Sequence, residues 1–133
     1  MQVSVAGRQP MPMIGVVEPD ADVREFIESL LVSAGYRCRS FVTAERFERS
    51  HAEAPMELLI ADTDLPGIDG LTLARRVGES EHPVPVVLLA PEGGEEIEQA
   101  ARAAHVSRIQ RKPLRVREFL QTIAKLLGIA VVI

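Results

Sequence analysis

The residues able to do chemistry are a small set of acids and one lysine, each placed near the end of a short strand-like run. Glu18 follows Met13–Val17, Asp62 follows Leu58–Ala61, and Lys112-Pro113 follows Val106–Gln110. If those runs are neighbouring strands, two carboxylates and one ammonium meet in one crevice. Two carboxylates can hold an oxygen-loving divalent cation such as Mg2+, which takes one or two of them plus waters and phosphate oxygens. The lysine would offset the charge of a phosphoryl group. Asp62 would be the nucleophile, forming an acyl phosphate. Catalysis in such a crevice is positioning and charge neutralisation.

The rest of the chain must supply elements that bring those residues together. Strand and helix patterns alternate throughout its 133 residues. Met13–Glu18 is a short apolar run closed by Pro19, the form of a buried strand. Val23, Phe26, Ile27, Leu30, Leu31 and Ala34 recur at helical spacing, with Asp20 as N-cap and Gly35 as the stop. Tyr36–Val42 reads as an edge strand, its Arg37 and Arg39 guarding against foreign pairing. Thr43 caps a short helix through Arg49, with Phe47 inward. Residues 57–61 form a third strand that ends at Asp62. The Leu65-Pro66-Gly67 turn and Asp69 then open a helix closed by Gly78. Val84–Ala90 is a fourth strand, with Pro85 near its start where a missing N–H is tolerable. Residues 95–104 form a helix with Ile97, Ala100, Ala101 and Ala104 inward. Val106–Gln110 is a fifth strand, and residues 115–127 the last helix, with Val116, Phe119, Leu120, Ile123 and Leu127 in register.

Five βα units with apolar strands imply an α/β fold, a doubly wound parallel sheet with helices on both faces. Open sheets of this kind bind and react at the carboxyl ends of their strands. Sequence alone leaves strand order open. The order 2-1-3-4-5 is attractive because it puts the arginine-bearing strand at an edge and brings Glu18 beside Asp62.

Composition narrows the function. Hydrophobic residues make up 47% and charged residues 26%, with a net charge of −4. An acidic domain is not a default partner for nucleic acid, although compact basic stretches can act locally. A single cysteine, Cys38, permits no internal disulfide and suits a cytoplasmic setting. No run approaches the roughly 20 apolar residues that cross a bilayer, so no membrane role is expected. His51, His82 and His105 lack ligand spacing for zinc. No glycine-rich phosphate loop follows the first strand, so a nucleotide or flavin enzyme lacks support.

Three segments in order, VVEPDADVR, ADTDLPGIDG and RKP, make the chain resemble a response-regulator receiver domain of two-component signalling. The resemblance covers residues 12–127. Residues 1–11 read as a flexible extension and 128–133 as an apolar tail. The resemblance implies a CheY-like, flavodoxin-like fold of order 2-1-3-4-5 with five helices. It implies that Asp62 is the phosphoacceptor, that Lys112 contacts the phosphoryl group, and that Lys112-Pro113 is cis. Metal ligands would be Glu18, Asp62 and the backbone carbonyl of Asp64, with Mg2+ as cofactor. The partners implied are a histidine kinase or phosphotransfer protein, and a downstream protein on the helix 4–strand 5–helix 5 face. The acids Glu95, Glu96 and Glu98 and the basic run Arg108, Arg111, Arg115 and Arg117 on that face would suit a homodimer.

Three departures stand out. The family's second acid falls on Pro19, which offers no side-chain oxygen, so the metal site is weakened. Its hydroxyl residue after strand 4 falls on Ala90, and its aromatic switch residue falls on Ile109. Two functions follow: a phosphoacceptor with an impaired relay, or a phosphorylation-independent pseudo-receiver that acts as a protein-interaction module. Neither is an enzyme with turnover.

Overall fold

A computed structural model describes residues 11–91 and 93–129. The strands are β1 (Met13–Val17), β2 (Arg37–Phe41), β3 (Leu58–Asp62), β4 (Val86–Ala90) and β5 (Arg108–Arg111). The helices between and after them are α1 (Ala21–Ser33), α2 (Ala44–Glu53), α3 (Gly70–Gly78), α4 (Glu95–Ala103) and α5 (Val116–Leu126). All strand pairs are parallel, in the order β2-β1-β3-β4-β5. The expected doubly wound sheet and its strand order are both present.

Each sheet face carries its own core. On one face Phe47, Leu73, Val77 and Ala104 of the α2–α3–α4 side pack on Val17, Leu59, Ala61 and Val86. On the other, Ile27, Leu31, Phe119 and Ile123 from α1 and α5 pack on Ile14, Val16, Leu58, Ile60, Val87 and Leu89. β3 and β4 are buried along their whole length, which is why their sequences are continuous apolar runs rather than alternating ones. Asp62 is the last residue of β3, not the first beyond it. A carboxylate is thus delivered on the rigid end of a central strand.

The caps match expectation. The Asp20 carboxylate accepts the N–H groups of Asp22 and Val23, Thr43 accepts from Arg46, and Asp69 accepts from Thr72. His105 takes a positive φ of 64° just after α4, where a left-handed residue ends the helix.

Several boundaries differ from the sequence reading. α2 runs a further turn, to Glu53, because His51 is buried and stacks on Phe47 with ring centres 5.1 Å apart. β5 begins two residues late, at Arg108, and β4 begins after Pro85, once the chain can donate to its neighbours. Phe26 is 49% exposed and Val116 39% exposed, so neither belongs to the core. The helical stripe of α1 is wider than the sheet it covers, and only Ile27 and Leu31 lie fully beneath it. Residues 1–10 and 130–133, most of the extension and the tail, lie outside the described residues. Ile129 packs against the α1–α5 core and its N–H donates to the Ala124 carbonyl.

Cys38 sits half-buried on β2, on the side facing α1. Burial, with the Glu28 carboxylate adding to it, pushes its thiol up to about 11. The folded thiol therefore stays protonated where the unfolded one, near pH 8.5, ionises. Stability linked to Cys38 is intact below the unfolded value and is lost as pH rises toward 11. At pH 8, disulfide-exchange reagents should label the native chain far more slowly than the urea-unfolded chain. Equal rates would show the site to be open.

Candidate functional site

The crevice forms at the carboxyl ends of β1, β3 and β5. Val17 is in register with Ala61, so the next residues, Glu18 and Asp62, end side by side. Glu18 is held in line because its N–H donates to the Phe41 carbonyl of β2, 3.0 Å away. On the other flank the Lys112 N–H donates to the Ala90 carbonyl at 3.2 Å, carrying the lysine past the end of β5. The Lys112-Pro113 bond is cis, as the resemblance implied.

The three charged side chains meet. Lys112 Nζ lies 3.2 Å from Glu18 Oε1 and is in direct hydrogen-bond contact with Asp62 Oδ2. Glu18 is 1% exposed and Asp62 4% exposed, so the pair could not stay ionised without this counter-charge. Asp62 Oδ1 accepts the Asp64 N–H at 2.8 Å and the Thr63 hydroxyl at 3.5 Å. Glu18 Oε2 accepts the Asp20 N–H at 3.1 Å.

These contacts set the protonation states. Burial raises the Asp62 carboxyl, but Lys112, the Asp64 N–H and Glu18 together outweigh it and hold it below the usual value. Glu18 goes the other way: burial raises it, the Asp62 carboxylate adds to that, and the Asp20 N–H and Lys112 only partly offset them. Burial would lower Lys112, yet its bonds to Asp62 and Glu18 outweigh that and raise it. Asp62 is the firm anion of the pair and Lys112 is fully charged.

Arg24, which sequence reasoning passed over, also serves the site. Its guanidinium donates from Nη1 to the Glu18 carbonyl at 2.8 Å and to the Pro19 carbonyl at 3.4 Å. It pins the β1–α1 loop through backbone oxygens. The only sequence signal was its place six residues after Glu18, on the inner side of α1.

Glu18 and Asp62 present to one crevice the one or two carboxylates that Mg2+ takes alongside waters. Pro19, half-buried beside them, adds no side-chain oxygen. One oxygen of the Asp20 carboxylate, Oδ1, accepts both bonds that cap α1. Among the described residues no three acid, histidine or cysteine side chains converge on one point. Two carboxylates in one crevice are a donor set that suits a magnesium ion, with one side-chain carboxylate fewer than a two-acid loop would give. Ala90, 1% exposed at the end of β4, carries no hydroxyl into the crevice, and Ile109 is a half-buried aliphatic on β5.

A family model described as the response regulator receiver domain matches residues 14–124. The chain belongs to the response-regulator receiver family. It is 30% identical over 118 residues to the response regulator receiver protein CpdR of Brucella abortus, covering 88% of this chain and 98% of that one. A response regulator receiver protein from Burkholderia phymatum superposes with a TM-score of 0.79 at 28% identity, covering 92% and 99% of the two chains. The receiver domain of a sensor histidine kinase from Pseudomonas aeruginosa gives 0.81 at 22% identity, covering 89% and 98%. At that identity the likeness is one of fold. That structure holds a magnesium ion in its active-site cleft. The receiver is therefore a two-component signalling domain of CheY-like architecture. No described helix is long and apolar enough to cross a membrane.

Proposed function

We propose that Asp62 accepts a phosphoryl group from a histidine kinase or phosphotransfer protein, and that the site passes little of that event to the rest of the receiver. The observation that carries this is the contact of Lys112 with both Asp62 and Glu18 at the strand ends. In the transfer, an Asp62 carboxylate oxygen bonds to phosphorus as the phosphorus–nitrogen bond of the donor breaks. The imidazole leaves with the bonding pair and takes up a proton. The Asp64 N–H fixes Oδ1 and so orients the carboxylate. Lys112 Nζ, in contact with Asp62, would follow the charge onto the phosphoryl oxygens. Mg2+, held by Glu18, Asp62 and the Asp64 carbonyl, would neutralise further charge, with affinity lowered by Pro19. The chain is a stoichiometric acceptor rather than an enzyme with turnover, and it works in the cytoplasm.

Ala90 and Ile109 favour a weak output. No hydroxyl at position 90 reaches the phosphoryl group, and no ring at position 109 changes its exposure. The downstream protein would meet the α4–β5–α5 face, where Glu95, Glu96 and Glu98 and the exposed Arg108, Arg111, Arg115 and Arg117 also suit a homodimer. The second reading, a pseudo-receiver that works as a protein-interaction module, draws support from Pro19 and from the lysine-filled crevice.

Intact-mass measurement after incubation with acetyl phosphate and Mg2+ separates the two. A single phosphoryl adduct is expected, lost in Asp62→Asn. No adduct, or one that survives the substitution, would overturn the acceptor reading and leave the module. With beryllofluoride and Mg2+, amide shifts should surround Asp62 and stop short of Ile109.

A further inference from the structure

β2 is an edge strand, and its side facing α2 is unusually basic for a domain of net charge −4. Period-two alternation puts Arg39 and Phe41 on that side. The Phe41 ring stands edge-on to Phe47 of α2, with centres 5.7 Å apart. Arg46, Arg49 and Glu53 follow at helical spacing along α2, so they line the same groove. Its volume is about 410 Å3.

Two of the three α2 carboxylates, Glu45 and Glu48, are engaged away from these arginines, and Glu53 sits at the end of the groove without pairing with them. Glu48 is bonded to Arg76 of α3, 2.9 Å away. The Glu45 carboxylate lies against Gly67, where a Cβ would come within 2.8 Å of its Oε2. Among the described residues, Arg39, Arg46 and Arg49 have no carboxylate within 4.0 Å, the reach of an ion pair. Guarding the edge against aggregation would need only the strand's own charges, Arg37 and Arg39. It does not account for two more guanidinium groups from a helix beside an aromatic floor.

We propose that this groove receives an extended acidic segment of a partner protein, laid along the open edge of β2. An added strand would satisfy the backbone groups of the edge that no strand pairs among the described residues, and its alternate acids would face the arginine row. Guanidinium groups suit carboxylates because they bond them in pairs. Glu53 closes one end and would favour a neutral or basic residue there, which gives the segment a direction. A nucleic acid fits less well: its charge is spread along a continuous backbone, and the remainder of this acidic domain repels it. A second copy could offer Glu95, Glu96 and Glu98, but on a helix, and such a contact between unlike faces would not close.

The test uses the full chain and a fluorescent peptide of alternating glutamate and valine, followed by anisotropy at low and physiological salt. Binding is expected, weakening with salt, with amide shifts on Arg39 and Phe41. Arg46→Glu with Arg49→Glu should weaken it at least about tenfold, a change of about 1.4 kcal/mol. The neutral pair Arg46→Gln and Arg49→Gln should fall between, with circular dichroism unchanged, so that a folding defect is recognised. Absence of binding would overturn the proposal, as would affinity untouched by either variant. Tighter binding of oligothymidylate would overturn it in favour of nucleic acid. Self-association abolished by the same variants would overturn it in favour of a second copy.

Discussion

Replacing Lys112 with methionine is expected to injure stability and phosphoryl transfer together. Two carboxylates, Glu18 and Asp62, would be left buried with no counter-charge. Removing one partner of a fully buried charge pair costs about 3–5 kcal/mol. The lysine side chain is 25% exposed, so solvent screens part of this, and about 2 kcal/mol is expected. Urea unfolding should show a lower midpoint at unchanged slope. Adding Glu18→Gln to the same chain should return part of the loss, since it removes one of the stranded charges, and the double-mutant cycle should show that coupling. Independent, additive effects would mean that the three groups do not share charge. In the acetyl phosphate assay, loss of a positive group at the developing charge should slow adduct formation about 100-fold. The two readouts separate because Glu18→Gln repairs stability but not rate.

Gly70→Ala is the other large effect, and it involves no charge. Gly70 opens α3 directly under the end of β3, and a Cβ there would overlap the Asp62 carbonyl oxygen. The closeness is functional in shape, because the Gly70 N–H donates to the Thr63 carbonyl at 3.1 Å and folds the acceptor loop onto the helix. Backbone cannot move aside as a flexible side chain does. The substitution should therefore cost about 3 kcal/mol and shift Asp62 against Lys112. A midpoint change equivalent to less than about 1 kcal/mol would show that the loop yields. If stability falls, amide shifts of Thr63 and Asp64 should exceed those of the distant β2 strand.

The sheet could be anticipated because β1, β3 and β4 are short apolar runs bounded by turn residues, too short for helices and alternating with helical patterns; its strand order came from the resemblance. Glu18 and Asp62 were visible for a related reason, each being an acid set directly after such a run, whereas Lys112 stood out through the RKP segment after the fifth strand. What could not be seen was how side chains from separate elements combine. His51 looked like a stray histidine in a polar stretch. In the fold its Nδ1 accepts the Met56 N–H at 3.0 Å while its Nε2 meets the His82 carbonyl at 2.8 Å, and these bonds carry α2 to Glu53. Arg24 gave no sign that it would bond the carbonyls of Glu18 and Pro19, because backbone acceptors leave no mark in a sequence. Phe26 was misplaced for a geometric reason, since helical spacing names a stripe but not how much of it the sheet covers. Asp20, by contrast, was legible as a cap from its place before a helical stripe, and it accepts the N–H groups of Asp22 and Val23.

The partners in the crevice are far apart along the chain: 50 residues separate Asp62 from Lys112, and 94 separate Glu18 from Lys112. During synthesis the first four strands therefore leave the ribosome with their acids unmatched. The lysine arrives only after β5, so the acceptor site is completed late, with α5 alone still to follow. A truncated or half-made chain retains Asp62 but lacks its countercharge, and should be a poor acceptor as well as a short-lived one. In this receiver, being able to take a phosphoryl group is also a certificate that the whole sheet has closed.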